Sequence, residues 1–237
     1  MPQVPDGFLF DVYGTVCDWF TPMRNALALH IGVGHPTDAD ELARRWRNGY
    51  ARGTSMRVRD DLDYIPLTDI TRDALASLLA EHEVPTTAPE LDALNGVWRR
   101  LPPWPDVTEG LAALKSIAPI APCSNGHFSD MEALARFGGL PWTLLAGSEV
   151  SGQYKPHADT YLKSAHKLGA DPGNCLMVAC HQGDLKSAQS HGLQTAFVTR
   201  PTEFGGEGLG EEREVTGDWD WVASDFVDLA RQIRDSS

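Results

Sequence analysis

The chain has 237 residues, of which 42% are hydrophobic and 22% are charged, and its formal net charge is −13 at pH 7. This length and composition predict one or two globular domains that can bury a substantial core. The negative charge argues against nucleic acid or an anionic membrane as a partner, since both are bound by basic surfaces, but it allows a small anionic substrate in a locally basic pocket.

The first predicted element is a buried strand over residues 7–12, an apolar run that leads into Asp11. Gly14 permits a sharp turn soon after the strand and a close approach of the backbone to a ligand. We therefore expect Asp11 at the carboxyl end of a central strand, where open α/β sheets bind their ligands. From this stretch alone, an aspartate that only caps the turn is an open alternative.

The next block, residues 17–98, carries helical patterns and no convincing strand. The first of its helices is predicted to end at Gly32 or Gly34. The run Leu-Pro-Pro-Trp-Pro at 101–105 predicts a stiff connector and a domain boundary, because proline fixes φ and blocks regular structure. Predicted helix starts in the block lie near Thr21, Asp38, Thr68 or Asp69, and Pro89.

Beyond the connector, predicted strands alternate with helices, which indicates an α/β fold with a doubly wound parallel sheet that includes the N-terminal strand. Pro119 and Pro122 count against the first of these strands, because proline removes a ladder donor. The predicted core therefore comprises residues 1–18 and 99–237, with residues 19–98 inserted as a helical cap domain. The later strands are predicted at 117–123, 143–146, 176–179 and 196–198, the last helix at 225–233, and a glycine-rich surface loop at 205–210.

The four cysteines show no Cys-x-x-Cys pair and no disulfide-framework spacing, which is typical of a reducing compartment. The N-terminus lacks the pattern of a signal peptide, and no apolar run approaches the roughly 18 residues of a membrane helix. We therefore expect a cytoplasmic protein with no membrane partner.

Polar side chains follow several of the predicted strands. Asp11, Ser124 and Asp184 each come just after a strand, and Lys155 lies in the loop that leads from the strand at 143–146. Because the carboxyl ends of parallel strands share one edge of a sheet, these side chains are predicted to converge. The site would combine a nucleophilic carboxylate, a hydroxyl, an ammonium group and a second carboxylate.

These residues form motifs that resemble those of the haloacid dehalogenase superfamily, in particular its L-2-haloacid dehalogenase, or type II 2-haloacid dehalogenase, branch. The resemblance spans essentially the whole chain and implies a Rossmann-like core with an inserted helical cap. The matching motifs are Asp-x-Tyr-Gly-Thr at 11–15, Ser-Asn-Gly at 124–126, Lys155-Pro156 with Tyr161 six residues after the lysine, and the run that ends in Asp184.

Two positions separate this chain from the phosphatases of the superfamily. Those enzymes carry an aspartate two residues after the nucleophile as a general acid, and Tyr13 stands there in this sequence. They also bind magnesium through acids of the fourth motif, where this chain has Ala188 four residues after Asp184. The resemblance therefore implies a site that works without metal or other cofactor. A phosphatase or phosphonatase, and a catalytically weak protein of the same fold, are the alternatives.

The resemblance implies a two-step hydrolysis of 2-haloalkanoic acids to 2-hydroxy acids and halide. Asp11 would attack C2 of the substrate and form an ester, which water then hydrolyses. Lys155 would keep Asp11 ionised, since an adjacent cation favours the charged form. The expected catalytic residues are Asp11, Lys155, Asp184, Thr15, Ser124 and His181, and the expected substrate- or halide-binding residues are Tyr13, Arg47, Asn125 and Tyr161.

The fourth motif departs from the pattern of the branch, which has serine and asparagine where this chain has Ala179 and His181, and an aromatic residue where it has Gly183. His181 can replace the missing polar residues as a base for water, since histidine titrates near neutral pH. A histidine that only hydrogen-bonds the loop is the competing interpretation. Members of the branch commonly dimerise through the cap, which implies a homodimer here.

Overall fold

The computed structural model describes residues 3–32, 35–206 and 214–236. Its centre is a parallel sheet of six strands in the order β3-β2-β1-β4-β5-β6. The predicted α/β fold with a parallel sheet is therefore confirmed. The strands are β1 (Gly7–Phe10), β2 (Ile120–Ser124), β3 (Ala146–Gly147), β4 (Cys175–Ala179), β5 (Gln194–Val198) and β6 (Trp221–Ala223).

The strand order reverses at β1, which pairs with β2 on one side and with β4 on the other. Asp11 follows β1 at once, and its N–H donates to the Val178 carbonyl oxygen at 3.0 Å. The crevice at such a reversal is where open α/β sheets bind ligands. The fold therefore places Asp11 at the switch point of the sheet.

Helices cover both faces of the sheet, which is what a doubly wound fold requires. On β1, Phe8 and Phe10 belong to the larger of two hydrophobic clusters, whereas Leu9 belongs to the other. This alternation fits a central strand that is buried on both faces. The helices are α1 (Phe20–Ile31), α2 (Ala39–Arg59), α3 (Leu67–Glu81), α4 (Ala88–Asn95), α5 (Val107–Lys115), α6 (Phe128–Gly138), α7 (Ser148–Ser151), α8 (Ala158–Leu168), α9 (Gln182–Ser190) and α10 (Phe226–Asp235).

The block from α1 to α4 contains no strand among its described residues, as its sequence pattern predicts. Its buried side chains, Trp46 and Leu75 among them, share one hydrophobic cluster with Phe8 and Phe10 of the sheet. The block therefore packs directly on the core. No helix of the described residues is long and apolar enough to cross a membrane.

Several predicted boundaries were wrong. The strand predicted at 117–123 begins only at Ile120 and includes Pro122, whose register partner is Phe10 of β1. On the other side of β2, the pairing with β3 involves only Cys123 and Ser124. Pro122 therefore has no partner in β3, and the N–H that proline lacks would have made no ladder hydrogen bond on that side. The strand predicted at 143–146 begins only at Ala146, as β3 (Ala146–Gly147). Thr143 lies outside the ladder, where its N–H donates to the Ile120 carbonyl oxygen.

Helix starts also differ from the prediction. Helix α1 begins one residue before Thr21, and α3 begins at Leu67 after Pro66. Helix α9 begins at Gln182, so Asp184 lies in its first turn rather than ahead of it. The Asp38 cap is confirmed, since its side chain accepts the Asp40 N–H. Strand β6 was missed because only three residues form it. Gly32 caps α1, whereas Gly34 and residues 207–210 of the predicted glycine-rich loop lie outside the described residues.

Candidate active site

The Asp11 carboxylate is 6% exposed and has a donor on each oxygen. Its Oδ1 accepts from the Lys155 ammonium at 2.8 Å, and its Oδ2 accepts from the Thr15 hydroxyl at 2.7 Å. His181 Nδ1 is 3.1 Å from the same Oδ2. Burial by itself raises the pKa of Asp11, but Lys155 and His181 outweigh it and hold this pKa far below its usual range. The group is an oriented carboxylate anion.

Lys155 lies between two carboxylates. Its ammonium donates to Asp184 Oδ2 at 2.6 Å as well as to Asp11, and the Tyr161 hydroxyl donates to Asp184 Oδ1 at 2.6 Å. Burial by itself lowers the pKa of Lys155, but the two carboxylates raise it above its ordinary value. Burial raises the pKa of the Tyr161 phenol, which therefore stays protonated as a donor. Asp184 positions the ammonium, and Tyr161 positions Asp184.

Glu203 belongs to the site, and sequence reasoning missed it. His181 Nε2 lies 3.0 Å from Glu203 Oε1, so the imidazole bridges the carboxylates of Asp11 and Glu203. Glu203 is 3% exposed and also accepts from Trp19 Nε1 at 2.8 Å. Burial by itself lowers the pKa of His181, but Cys180, Glu203 and the hydrogen bond to Asp11 raise it well above its ordinary value. The position of Glu203 beyond the end of β5, at the same sheet edge, was the available signal.

Gly14 leaves room for this carboxylate. Its φ is +100°, a value that favours glycine, and an added Cβ would clash with Glu203 Oε1. Gly14 therefore permits both the turn after β1 and the close approach of the Glu203 carboxylate.

The wall opposite the sheet comes from α2. The Arg47 guanidinium lies 4.4 Å from the centroid of the Tyr50 ring, and its buried Nε has no hydrogen-bond partner among the described residues. Asn125 donates its amide N–H to the Tyr50 hydroxyl at 3.2 Å and accepts the Lys155 backbone N–H at 2.8 Å. Arg47 and Asn125 thus bring N–H donors to the same cleft as Asp11, where an anion can bind.

The cleft has a volume of about 300 Å³. It brings together most of the predicted site residues, with Thr15 behind the carboxylate of Asp11. Its lining residues include Asp11, Arg47, Asn125, Lys155, Tyr161, His181 and Asp184, together with Tyr50, Thr54 and Gly183.

Tyr13 and Ser124 do not line this cleft. Tyr13 is buried, and its ring packs edge-on against those of Trp98 and Tyr50, with centroids 5.1 and 6.0 Å away. The Ser124 hydroxyl accepts the Gly126 N–H at 3.1 Å, which shapes the loop that carries Asn125. Both residues therefore lie behind the lining of this cleft, and the roles predicted for them stay predictions.

Comparisons with known proteins show which family and which solved structures this chain resembles. The family model of haloacid dehalogenase-like hydrolases matches residues 5–192. A solved structure of a defluorinating L-2-haloacid dehalogenase is 36% identical, covers 97% of this chain and 95% of its own, and superposes with a TM-score of 0.91. Another L-2-haloacid dehalogenase structure is 35% identical, covers 98% and 99%, and has a TM-score of 0.90. A curated (S)-2-haloacid dehalogenase of Xanthobacter autotrophicus is 28% identical over 81% of this chain and 74% of its own length.

Proposed function

Because the chain belongs to the haloacid dehalogenase-like hydrolase family, we propose that it hydrolyses 2-haloalkanoic acids to 2-hydroxy acids and halide through an ester of Asp11. The observation that carries this function is the Asp11 carboxylate, which is buried, ionised and oriented by Lys155, Thr15 and His181 beside the cleft. A nucleophile activated by adjacent groups in this way is the signature of covalent catalysis.

In the first step, a carboxylate oxygen of Asp11 attacks C2 of the substrate. A carbon–oxygen bond forms while the carbon–halogen bond breaks, and the halide leaves with the bonding electron pair. Arg47 and Asn125 supply N–H donors for the departing anion. A halide needs no proton to leave, so the step requires no general acid at the position of Tyr13.

In the second step, water attacks the ester carbonyl of Asp11 and releases the 2-hydroxy acid. Ester formation has by then removed the negative charge of Asp11, one of the two carboxylates that hold His181 protonated. The pKa of His181 falls and the Nδ1 proton leaves to solvent, so Nδ1 can take a proton from the attacking water and pass it to the alkoxide oxygen of the departing 2-hydroxy acid. The acid proton of the regenerated Asp11 carboxyl group then returns to Nδ1. Glu203 accepts the Nε2 hydrogen throughout and stabilises the imidazolium that forms.

A phosphatase is the second candidate, and the donor set of this chain counts against it. Magnesium prefers an octahedral shell of oxygen ligands that includes one or two carboxylates. Where the phosphatases carry acids, this chain has the phenol of Tyr13 and the buried methyl group of Ala188. The carboxylate of Asp184 is paired with Lys155. These residues do not fit the magnesium site of the phosphatases.

We assign residues 19–98 to the cap, because Arg47 and Tyr50 of α2 reach the cleft from that block. We further propose a homodimer that forms through the cap, by resemblance to the branch, and a cytoplasmic location. The four free cysteines, Cys17, Cys123, Cys175 and Cys180, support a reducing compartment.

The test measures halide release from chloroacetate, both enantiomers of 2-chloropropionate and fluoroacetate. Fluoroacetate is included because one relative of 36% identity is described as defluorinating. Wild type is expected to release halide and to gain the mass of an ester on Asp11 during turnover. Halide release that survives in Asp11→Asn, or magnesium-dependent release of phosphate from p-nitrophenyl phosphate without any dehalogenation, would refute the proposed function.

A further inference from the structure

Three metal-ligating side chains converge behind the catalytic cleft. Cys180 Sγ lies 3.6 Å from His181 Nε2 and 3.6 Å from Glu203 Oε2, and His181 Nε2 lies 3.0 Å from Glu203 Oε1. Their ligand atoms all fall within 4.8 Å of one another. Around a tetrahedral zinc ion with bonds of about 2.0–2.3 Å, ligand atoms are roughly 3.3–3.6 Å apart.

From this geometry we infer that Cys180, His181 and Glu203 form a binding site for Zn²⁺ or a similar divalent transition metal. A thiolate, an imidazole and a carboxylate are the ligand types of zinc sites, and thiolate discriminates against the hard ions Mg²⁺ and Ca²⁺. Three protein ligands leave the fourth position for water. Binding replaces the S–H bond of Cys180 by a Zn–S bond and the Nε2–H bond of His181 by a Zn–N bond, and both protons leave to solvent.

The side chains are placed for this use by the fold. Cys180 follows β4 directly, and Glu203 follows β5, so neighbouring parallel strands deliver the two outer ligands to one edge of the sheet. His181 lines the cleft, which gives an ion a route to a pair that is otherwise buried. Cys180 contacts Thr15 and His181, but neither proposed step of the hydrolysis transfers an atom to or from its thiol.

A metal on Nε2 would block one half of the reaction, a consequence that rests on the proposed function. Coordination at Nε2 fixes the imidazole tautomer that carries its hydrogen on Nδ1, the nitrogen that faces Asp11. That nitrogen can then accept no proton from water. Asp11 can still be alkylated, so the metal-loaded enzyme should release one halide per subunit and stop as the ester.

The site itself is tested without substrate, by titrating the full-length protein with Co²⁺. Wild type is expected to bind one ion, with a thiolate-to-cobalt charge-transfer band and the visible bands of tetrahedral cobalt. Cys180→Ser should lose the charge-transfer band and bind Zn²⁺ at least about tenfold more weakly, since even outer-shell changes cost 10–100-fold in affinity. The matched control is Cys175→Ser, a buried cysteine at the opposite end of β4, which should behave as wild type.

Glu203→Gln serves as a second variant and should weaken binding while it keeps the charge-transfer band. Absence of that band in wild type, or its loss in Cys175→Ser instead of Cys180→Ser, would overturn the site. Turnover is measured separately, as halide release and intact mass in the presence of Zn²⁺. If cobalt binds through Cys180 but no ester accumulates under zinc, the metal site stands and the proposed role of His181 fails.

Discussion

Replacing Glu203 by glutamine tests the hydrolytic half of the reaction with almost no change in side-chain volume. The carboxylate faces His181 Nε2 at 3.0 Å and is 3% exposed. Glutamine removes its charge and can turn an amide N–H toward Nε2. The imidazole would then keep its hydrogen on Nδ1 and could not accept a proton from water.

The size of the effect follows from the bond that is lost. A buried hydrogen bond to a charged group contributes about 1.5–3 kcal/mol. Since each 1.36 kcal/mol changes a rate tenfold, hydrolysis of the ester should slow by roughly 10- to 150-fold. Alkylation of Asp11 should be affected much less, because Lys155 and Thr15 still hold the carboxylate.

Rapid-quench intact mass spectrometry and halide release from L-2-chloropropionate separate the two steps. Glu203→Gln should show a burst of about one halide per active site and a large steady-state fraction of ester. Glu149→Gln is the matched control, because Glu149 also pairs with a histidine, His127 Nδ1 at 3.0 Å, outside the residues that line the cleft. Unchanged turnover in Glu203→Gln, or slower turnover with no ester and no burst, would refute the assigned role.

Three further changes test other parts of the structure. Lys155→Met should slow the first halide release by at least about 100-fold, because Asp11 loses the ammonium group that keeps it ionised. Single-turnover halide release measures this rate, and a burst at the wild-type rate would contradict the prediction. Arg47→Lys keeps the charge but not the planar guanidinium group, so halide release should slow by about tenfold and product inhibition by chloride should weaken. An unchanged inhibition constant for chloride would show that Arg47 does not bind the halide. Asp106 forms a bidentate pair with Arg200 at 2.8 and 2.9 Å, which, despite burial, lowers its pKa. The stability that this ion pair contributes should be fully present above about pH 3.9, the pKa of Asp106 in the unfolded chain. It should be lost as the pH falls through the lower pKa that Asp106 has in the folded protein. Asp106→Asn should therefore lower the free energy of unfolding by about 1.5–3 kcal/mol at pH 7, and urea melts should show the difference shrinking in acid; a pH-independent difference would contradict this.

The sequence by itself determined the framework of this protein. The apolar run of β1, the glycine after Asp11 and the later alternation of strands with helices are local patterns, and local propensity and periodicity decide them. The expectation that Asp11, Lys155 and Asp184 meet at one edge followed from a general property of parallel sheets. These parts of the site could be predicted because Asp11 directly follows β1, whereas Lys155 and Asp184 lie on the segments that leave the carboxyl ends of β3 and β4.

The tertiary structure alone decided which side chains complete the site. Glu203 reaches His181 from a loop after β5, and Tyr50 reaches Asn125 across 75 positions of the chain. Tyr13 turns away from the cleft because its ring packs against Trp98. Such contacts depend on how helices and loops distant in sequence pack together, and no local pattern of residues encodes that packing.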